Sequence, residues 1–185
     1  SIPCLNENNF YQLVCNSNQS KFFINSKERK NLVTSFRKFF PEDERLIISV
    51  ADKTCDHLFD LLGSGETYLG PSIDWHSDFK SGYRWDPKKL YLDICYAPYP
   101  GGYDIKVPWE LSRCQHFVWL GQAYWFTGDE KYAREYVSQV LDWAESNPWP
   151  YGVNWACTMD VAIRVVNWLW GYHFLKDSKS ISINF

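Results

Sequence analysis

No stretch of this 185-residue chain carries the roughly 18 uncharged apolar residues that a bilayer-spanning helix needs, so no membrane partner is expected. It also lacks any run of lysine and arginine. The formal net charge is −3, and the densest basic segment, Lys27-Glu28-Arg29-Lys30, reads as the solvated start of a helix. Nucleic acid is therefore not an expected partner. The six cysteines form no C-x-x-C pair, and no His stands at zinc-ligand spacing from any of them, so no metal site is expected. Their even number permits disulfides in an oxidising compartment. Cys114 and Cys157, however, fall inside apolar helical patterns and read as small buried residues, which leaves the compartment open. The chain starts without Met and without a recognisable signal peptide, so a processed product is expected. Its length sets the expectation of one domain, 1–185, with room for a sizeable core.

Aromatics are in surplus: 18% of the residues, with ten tryptophans. A core needs fewer. Aromatic rings stack on the C–H faces of sugars, which favours carbohydrate binding as a class, beside the plainer reading of a tryptophan-rich helical core.

Helical patterns flank an irregular segment. Residues 10–15 fit a short helix or a strand. Apolar spacing predicts a helix over 26–40, capped by Ser26, with Leu32, Val33, Phe36, Phe39 and Phe40 on its apolar side. Pro41 and the acids Glu42, Asp43 and Glu44 open a second helix that runs through Leu58, and the two make an antiparallel hairpin. Residues 59–107 differ. Gly and Pro punctuate them, and they carry Tyr68, Trp75, His76, Tyr83, Trp85, Tyr91, Tyr96, Tyr99 and Tyr103. That aromatic load argues against disorder, so an ordered loop lining a groove is expected. Within it, Asp74-Trp75-His76-Ser77-Asp78 holds metal-binding residue types. No helix or strand frame fixes their spacing, and turn and cap residues around a hydrogen-bonded His are the preferred reading.

One helix is predicted from Trp109 to Phe126, ended at Gly128. Asp129 caps the next, over 130–146, which buries Tyr132, Ala133, Tyr136, Val137, Val140, Leu141 and Trp143/Ala144. Such connections give stacked antiparallel hairpins. After Pro148, Pro150 and Gly152 comes a nearly all-apolar helix from Trp155 onward. Met159, Ala162, Ile163, Val166 and Leu169 line one face and Val161, Val165 and Trp168 another, so burial on most sides is expected. Asn154 stands at its N-cap position. Asp160 and Arg164, four apart, share a face on which they can pair.

Three segments together carry a resemblance: Lys106-Val107-Pro108-Trp109-Glu110-Leu111-Ser112-Arg113; Gly121-Gln122-Ala123-Tyr124-Trp125-Phe126-Thr127-Gly128-Asp129-Glu130-Lys131-Tyr132; and Gly152-Val153-Asn154-Trp155 with Met159-Asp160-Val161-Ala162-Ile163-Arg164 and Trp168. With Asp74-Trp75-His76 and Ser81-Gly82-Tyr83-Arg84-Trp85, they resemble the N-terminal helical domain of the heparinase II/III polysaccharide lyases. Asp160 departs from the pattern, which has Glu there. The resemblance implies an all-α fold: antiparallel helical hairpins forming part of an incomplete (α/α) toroid, crossed by the aromatic-rich 59–107 segment. In that family a β-sandwich domain follows. It also implies β-elimination at a uronic acid of an acidic polysaccharide, with no obligatory cofactor. A neutral amide binds the uronate carboxylate, a Tyr or His takes the C5 proton, and an acid assists the leaving oxygen. Nothing in the chain matches the family's catalytic Tyr and His. The expectation is the N-terminal part of such a lyase, inactive alone and periplasmic or secreted. It would self-associate through apolar helix faces that later hairpins cover. The alternative is a non-catalytic carbohydrate-binding or scaffolding helical domain. A hydrolase is a third reading, but no carboxylate pair stands in an acid–base frame.

By resemblance Asn154 takes the catalytic, carboxylate-neutralising role. It does so only if its own helix does not consume the side chain as a cap. The substrate-binding candidates are Trp155, Trp109, Glu110, Arg113, His116, Trp85 and Tyr83, with Tyr99 and Tyr103 as further aromatic platforms. Trp155 either stacks on a sugar or fills the core. Arg113 has the fork geometry for sulfate or carboxylate, against a plain i, i+3 pair with Glu110. His116, alone on an aromatic helix, reads more readily as a satisfied core residue than as a base. Asp160 and Arg164 are assigned to orienting the helix and the surroundings of Asn154.

Overall fold

The computed structural model describes residues 22–95 and 101–181. The 10–15 segment, Tyr96 and Tyr99 lie outside the described residues. Among those described are six α-helices: α1 Arg29–Phe39, α2 Pro41–Cys55, α3 Lys106–Ser112, α4 His116–Thr127, α5 Lys131–Ser146 and α6 Thr158–Leu175. The fold class is all-α, as the sequence indicates. The irregular segment holds two short antiparallel ribbons. β1 Leu58–Phe59 pairs with β2 Thr67–Tyr68, and β3 Ser77–Asp78 pairs with β4 Tyr83–Arg84.

Local chemistry explains most boundaries. A 3-10 turn, Ser26–Glu28, leads into α1. Its cap is Asn25, whose side chain accepts the Lys27 N–H at 3.0 Å, and not Ser26. Pro41 occupies the first turn of α2, where its missing N–H has no partner to lose. That helix stops at Cys55, short of Leu58, because β1 begins there. Gly128 ends α4 at φ +74, and Asp129 accepts the Lys131 N–H at 2.9 Å to start α5.

The expected single helix over 109–126 is two. Cys114 breaks it at φ +54, in the left-handed region, with no Gly or Pro to announce the break. Side chains of α6 satisfy the carbonyls freed there. Arg164 Nε donates to Ser112 O at 2.7 Å, and Asn167 Nδ2 donates to Arg113 O at 2.8 Å.

The core centres on α4, packed against α2, α5 and α6 and buried at Phe117, Leu120, Ala123, Tyr124 and Trp125. Gly121 lets α6 come close, since a Cβ there would lie 2.5 Å from the Cβ of Phe174. Three expectations of burial are overturned. On α1 only Val33 is fully buried, and Phe39 is 65% exposed. On α6 the apolar face of Met159, Val165, Val166 and Leu169 is about half exposed, while Asp160 and Arg164 face inward. The inward stripe is charged because α3 and the 153–155 turn supply its partners. In α5, Leu141 and Ala144 are likewise exposed.

A second, smaller apolar cluster of Trp85, Ile94, Ile105 and Val153, with Tyr103, Trp109 and Ala156 against it, pins the irregular segment to the turn before α6.

Candidate functional site

Several buried polar groups, Asn147, Asn154, Asp160 and Arg164, meet around the turn between α5 and α6. Gly152 sits at φ +90, and a 3-10 turn, Val153–Trp155, follows. α6 starts only at Thr158, three residues after the turn, so Asn154 is not its cap. Asn154 is fully buried. Its Nδ2 donates to Trp75 O at 2.8 Å and to Asn147 Oδ1 at 2.8 Å, which engages both amide N–H groups. Asn147 in turn donates to Trp143 O and accepts, through its carbonyl, from Trp155 Nε1 at 3.0 Å. Asn154 Oδ1 is buried without a hydrogen-bond partner among the described residues. Turning the amide over would set its oxygen against the Trp75 carbonyl, so this orientation is the physical one.

Beneath this turn lies a charged cluster. Arg164 is buried, its guanidinium 4.1 Å from the centre of the Trp143 ring and 5.6 Å from that of Trp155. It donates to Ser112 O and, through Nη2, to Asn154 O at 2.8 Å. Burial pulls its pKa down to about 10, still charged at neutral pH. The expected Asp160–Arg164 pair does not form. Asp160 Oδ1 instead accepts from Arg113 Nε at 2.6 Å, because Arg164 is occupied by backbone carbonyls. Glu110 also binds Arg113, through Nη1. With two carboxylates on it, Arg113 is not an open clamp for a sulfate.

On the opposite side of Asn154 runs the 74–78 loop. Asp74 accepts from His76 N and Ser77 Oγ, and Asp78 accepts from Lys80 N, Ser81 Oγ and Asp104 N. Apart from the long-range bond from Asp104 N to Asp78, these are turn contacts, as the spacing indicated. Arg84 Nε reaches Asp74 Oδ2 at 2.7 Å across the β3–β4 ribbon. His76 is buried, with Nε2 2.9 Å from Ser146 O. Asp74, Trp75, His76, Arg84 and Ser146 line a cavity of about 370 Å³ beside the Asn154 turn. Among the described residues no three His, Cys, Asp or Glu side chains converge as a metal site, and no helix is long and apolar enough to cross a membrane.

The other candidates divide. Trp109 joins the Asn154 assembly, its Nε1 donating to Val153 O at 2.9 Å. Trp155 lies between Trp143 and Trp149, ring centres 5.4 and 5.3 Å away. Trp85 is buried in the second cluster and offers no open face, which corrects its reading as a platform. Tyr83 is 39% exposed and stacks on Tyr103 at 3.7 Å. His116 lies apart from the turn, bonded to Gln139 Oε1 at 2.8 Å and edge-on to Phe59. Burial pushes its pKa down to about 4, so it is neutral, as a satisfied core residue would be. The sequence reading missed Asn147 and the unpartnered Nδ1 of His76. No periodic pattern marks either residue. Only Gly152 hinted at close packing, since a Cβ there would meet the His76 ring.

Residues 15–185 match the family described as the heparinase II/III N-terminus. The chain is 49% identical over 106 residues to a heparin-sulfate lyase of Pedobacter heparinus, a stretch that covers 57% of this chain and 13% of that lyase. It is 44% identical over 45 residues to a heparin-sulfate lyase of Bacteroides stercoris, 24% of this chain and 7% of that protein. The matched stretches thus span well under a fifth of either lyase's length. The search of solved structures found no match.

Proposed function

Because the chain belongs to the heparinase II/III family of polysaccharide lyases, through its N-terminal domain, we propose that it forms the helical N-terminal part of a lyase acting on a uronic-acid-containing polysaccharide of the heparin or heparan sulfate type. The reaction is β-elimination. The reading carries with it the incomplete toroid architecture and an extracytoplasmic location. The observation that supports it is Asn154. An uncharged amide stands on the family motif, buried beside a sugar-sized cavity and surrounded by tryptophans.

β-Elimination needs the charge of the uronate carboxylate quenched, so that the C5 proton becomes acidic. An amide can do this by donating N–H bonds. Both N–H groups of Asn154 are engaged, so binding a carboxylate exchanges one of them. The bond to Trp75 O is the one to open, because Trp75 belongs to the irregular segment while Asn147 is anchored at the end of α5. Arg164 holds the Asn154 carbonyl throughout, which fixes the backbone while the side chain changes partner.

One observation favours the alternative, a non-catalytic carbohydrate-binding domain: an amide with both donors engaged is what a purely structural residue shows. Retention on uronate polysaccharides and the ultraviolet absorbance of unsaturated products separate the two. The lyase reading expects such products once the family's Tyr and His are on the same polypeptide, and their loss in Asn154→Ala. A binding domain retains the sugar and never yields the absorbance. If no uronate polymer is retained by the folded chain, both readings are overturned.

A further inference from the structure

Resting on that reading only for the role of Asn154, we propose that His57, as an imidazolium, is a positioning residue for the Asn154 site: its two N–H groups tie Gly70 to Glu135 and so hold Trp75 against Asn154 for as long as the ring keeps its second proton.

The protonation follows from the partners. His57 stands between α2 and β1. Its Nδ1 lies 2.7 Å from Gly70 O, and a carbonyl can only accept, so Nδ1 carries a proton. Its Nε2 lies 3.0 Å from Glu135 Oε1. That same oxygen accepts from Gln139 Nε2 at 2.6 Å, so it presents lone pairs, and the proton between it and the ring sits on Nε2. Both ring nitrogens are donors, which only the charged ring provides. The bond to Glu135 raises the ring's pKa above its ordinary value, against the opposing effect of burial. The titratable groups that face the ring are Glu135 and Asp142 from α5, which favour its charge, and His116 from α4, which is neutral. Cys55, at the end of α2, has its thiol pushed up to about 12 by burial and adds no charge.

The lever is the segment that runs from Gly70 to Trp75. It is fastened to α5 at both ends. At one end Glu135 reaches Gly70 O through His57, and at the other Trp75 Nε1 donates to Asp142 Oδ2 at 2.7 Å. Glu135 and Asp142 lie two turns apart on α5 and so share a face. Between the two fastenings, Pro71, Ser72 and Ile73 line a cavity of about 210 Å³ with Ser138 and Gln139. The segment therefore has room to shift when one end is let go. Trp75, whose carbonyl accepts from Asn154 at 2.8 Å, shifts with it.

The neutral ring cannot make both bonds. With one proton gone, a bare nitrogen faces either Gly70 O or Glu135, lone pair against lone pair, and the tie is cut. The backbone of His57 stands at φ +52, in the left-handed region, where its contacts have to hold it. The tie is whole below pH 6.5 and is lost as pH rises through the ring's raised pKa.

The test is a pH titration of the ¹⁵N-labelled chain by NMR, without saccharide. At pH 6.5, where an ordinary His is half charged, both ring nitrogens of His57 should resonate predominantly as N–H donors. As the ring loses its proton at higher pH, the indole N–H signal of Trp75 and the side-chain amide signals of Asn154 should move with the same midpoint. Glu135→Gln should lower that midpoint by about one unit, a tenfold loss of proton affinity, and carry the Trp75 and Asn154 transitions down with it. A residue that merely filled space would leave those transitions where they were. The wild-type titration decides even if that variant folds poorly. A His57 ring that is half neutral or more at pH 6.5 would overturn the proposal. Trp75 and Asn154 signals that hold their positions while His57 titrates would overturn the positioning role and leave the lyase reading standing. That reading falls on a different result, the failure of the folded chain to retain any uronate polymer.

Discussion

Asn154→Ala is the substitution whose effect the structure predicts in most detail. The change removes both amide N–H donors and leaves Trp75 O and Asn147 Oδ1 buried without them. An acceptor stranded in that way costs about 1–3 kcal/mol. The side chain also takes with it Oδ1, itself buried and unpartnered, and relief of that penalty offsets one such term. The net expectation is a loss of about 1–3 kcal/mol. For a chain of this length that lowers Tm by roughly 3–10 °C. Urea unfolding followed by fluorescence measures it directly, since Trp75, Trp143 and Trp155 surround the site. The midpoint should fall with the slope unchanged. A midpoint within experimental error of wild type would refute the reasoning, because it would mean that the amide does not tie the irregular segment to the α5–α6 turn. Any activity assay of this variant has to be read against its stability. Asn154→Asp is a harsher probe: a carboxylate there would face two acceptors, and the chain is expected not to fold at neutral pH.

Gly121→Ala should destabilise by about 1–3 kcal/mol despite the better helix propensity of Ala, because the new Cβ meets the Cβ of Phe174 rather than a flexible side-chain end; thermal unfolding reads it, and a stabilised variant would contradict the close α4–α6 approach. His116 is held neutral, with its pKa pushed down to about 4, below its unfolded value near 6.5. Its contribution, up to about 3 kcal/mol, is therefore present above pH 6.5 and lost as pH falls toward 4, and in His116→Gln the acid limb of the stability curve should be shallower. His57 runs the other way: its bond to Glu135 at 3.0 Å raises its pKa, so its contribution is full below pH 6.5 and declines as pH rises through the folded value. Replacing Glu135 by Gln should remove that alkaline decline, as unfolding at a series of pH values would show. Cys114 is buried with its thiol pushed up to about 12, so iodoacetamide should leave it unlabelled in the native chain and label it in urea.

Much of the fold is legible in the residues, for reasons of short range. Pro41 at a helix start, Gly128 at a helix end and Asp129 at the next start act through their own backbone neighbours, and the structure has all three where the sequence puts them. Apolar spacing marks the individual helices, and the turn-and-cap chemistry of the 74–78 loop follows from residues two or three apart. The family motifs are likewise linear, which is why Asn154 could be singled out without coordinates. What the sequence could not decide depends on partners far along the chain. The break at Cys114 holds because Arg164 and Asn167, some fifty residues later, satisfy the carbonyls it frees. Asp160 takes Arg113 rather than the Arg164 beside it in sequence, and that choice turns the charged stripe of α6 inward and its apolar stripe outward. Whether Asn154 caps a helix or holds a loop is settled by Trp75, 79 residues away. Capping, turn formation and periodicity are local and can be read from the chain. The partner of a buried polar group is set by which elements pack together, and only the tertiary structure decides it.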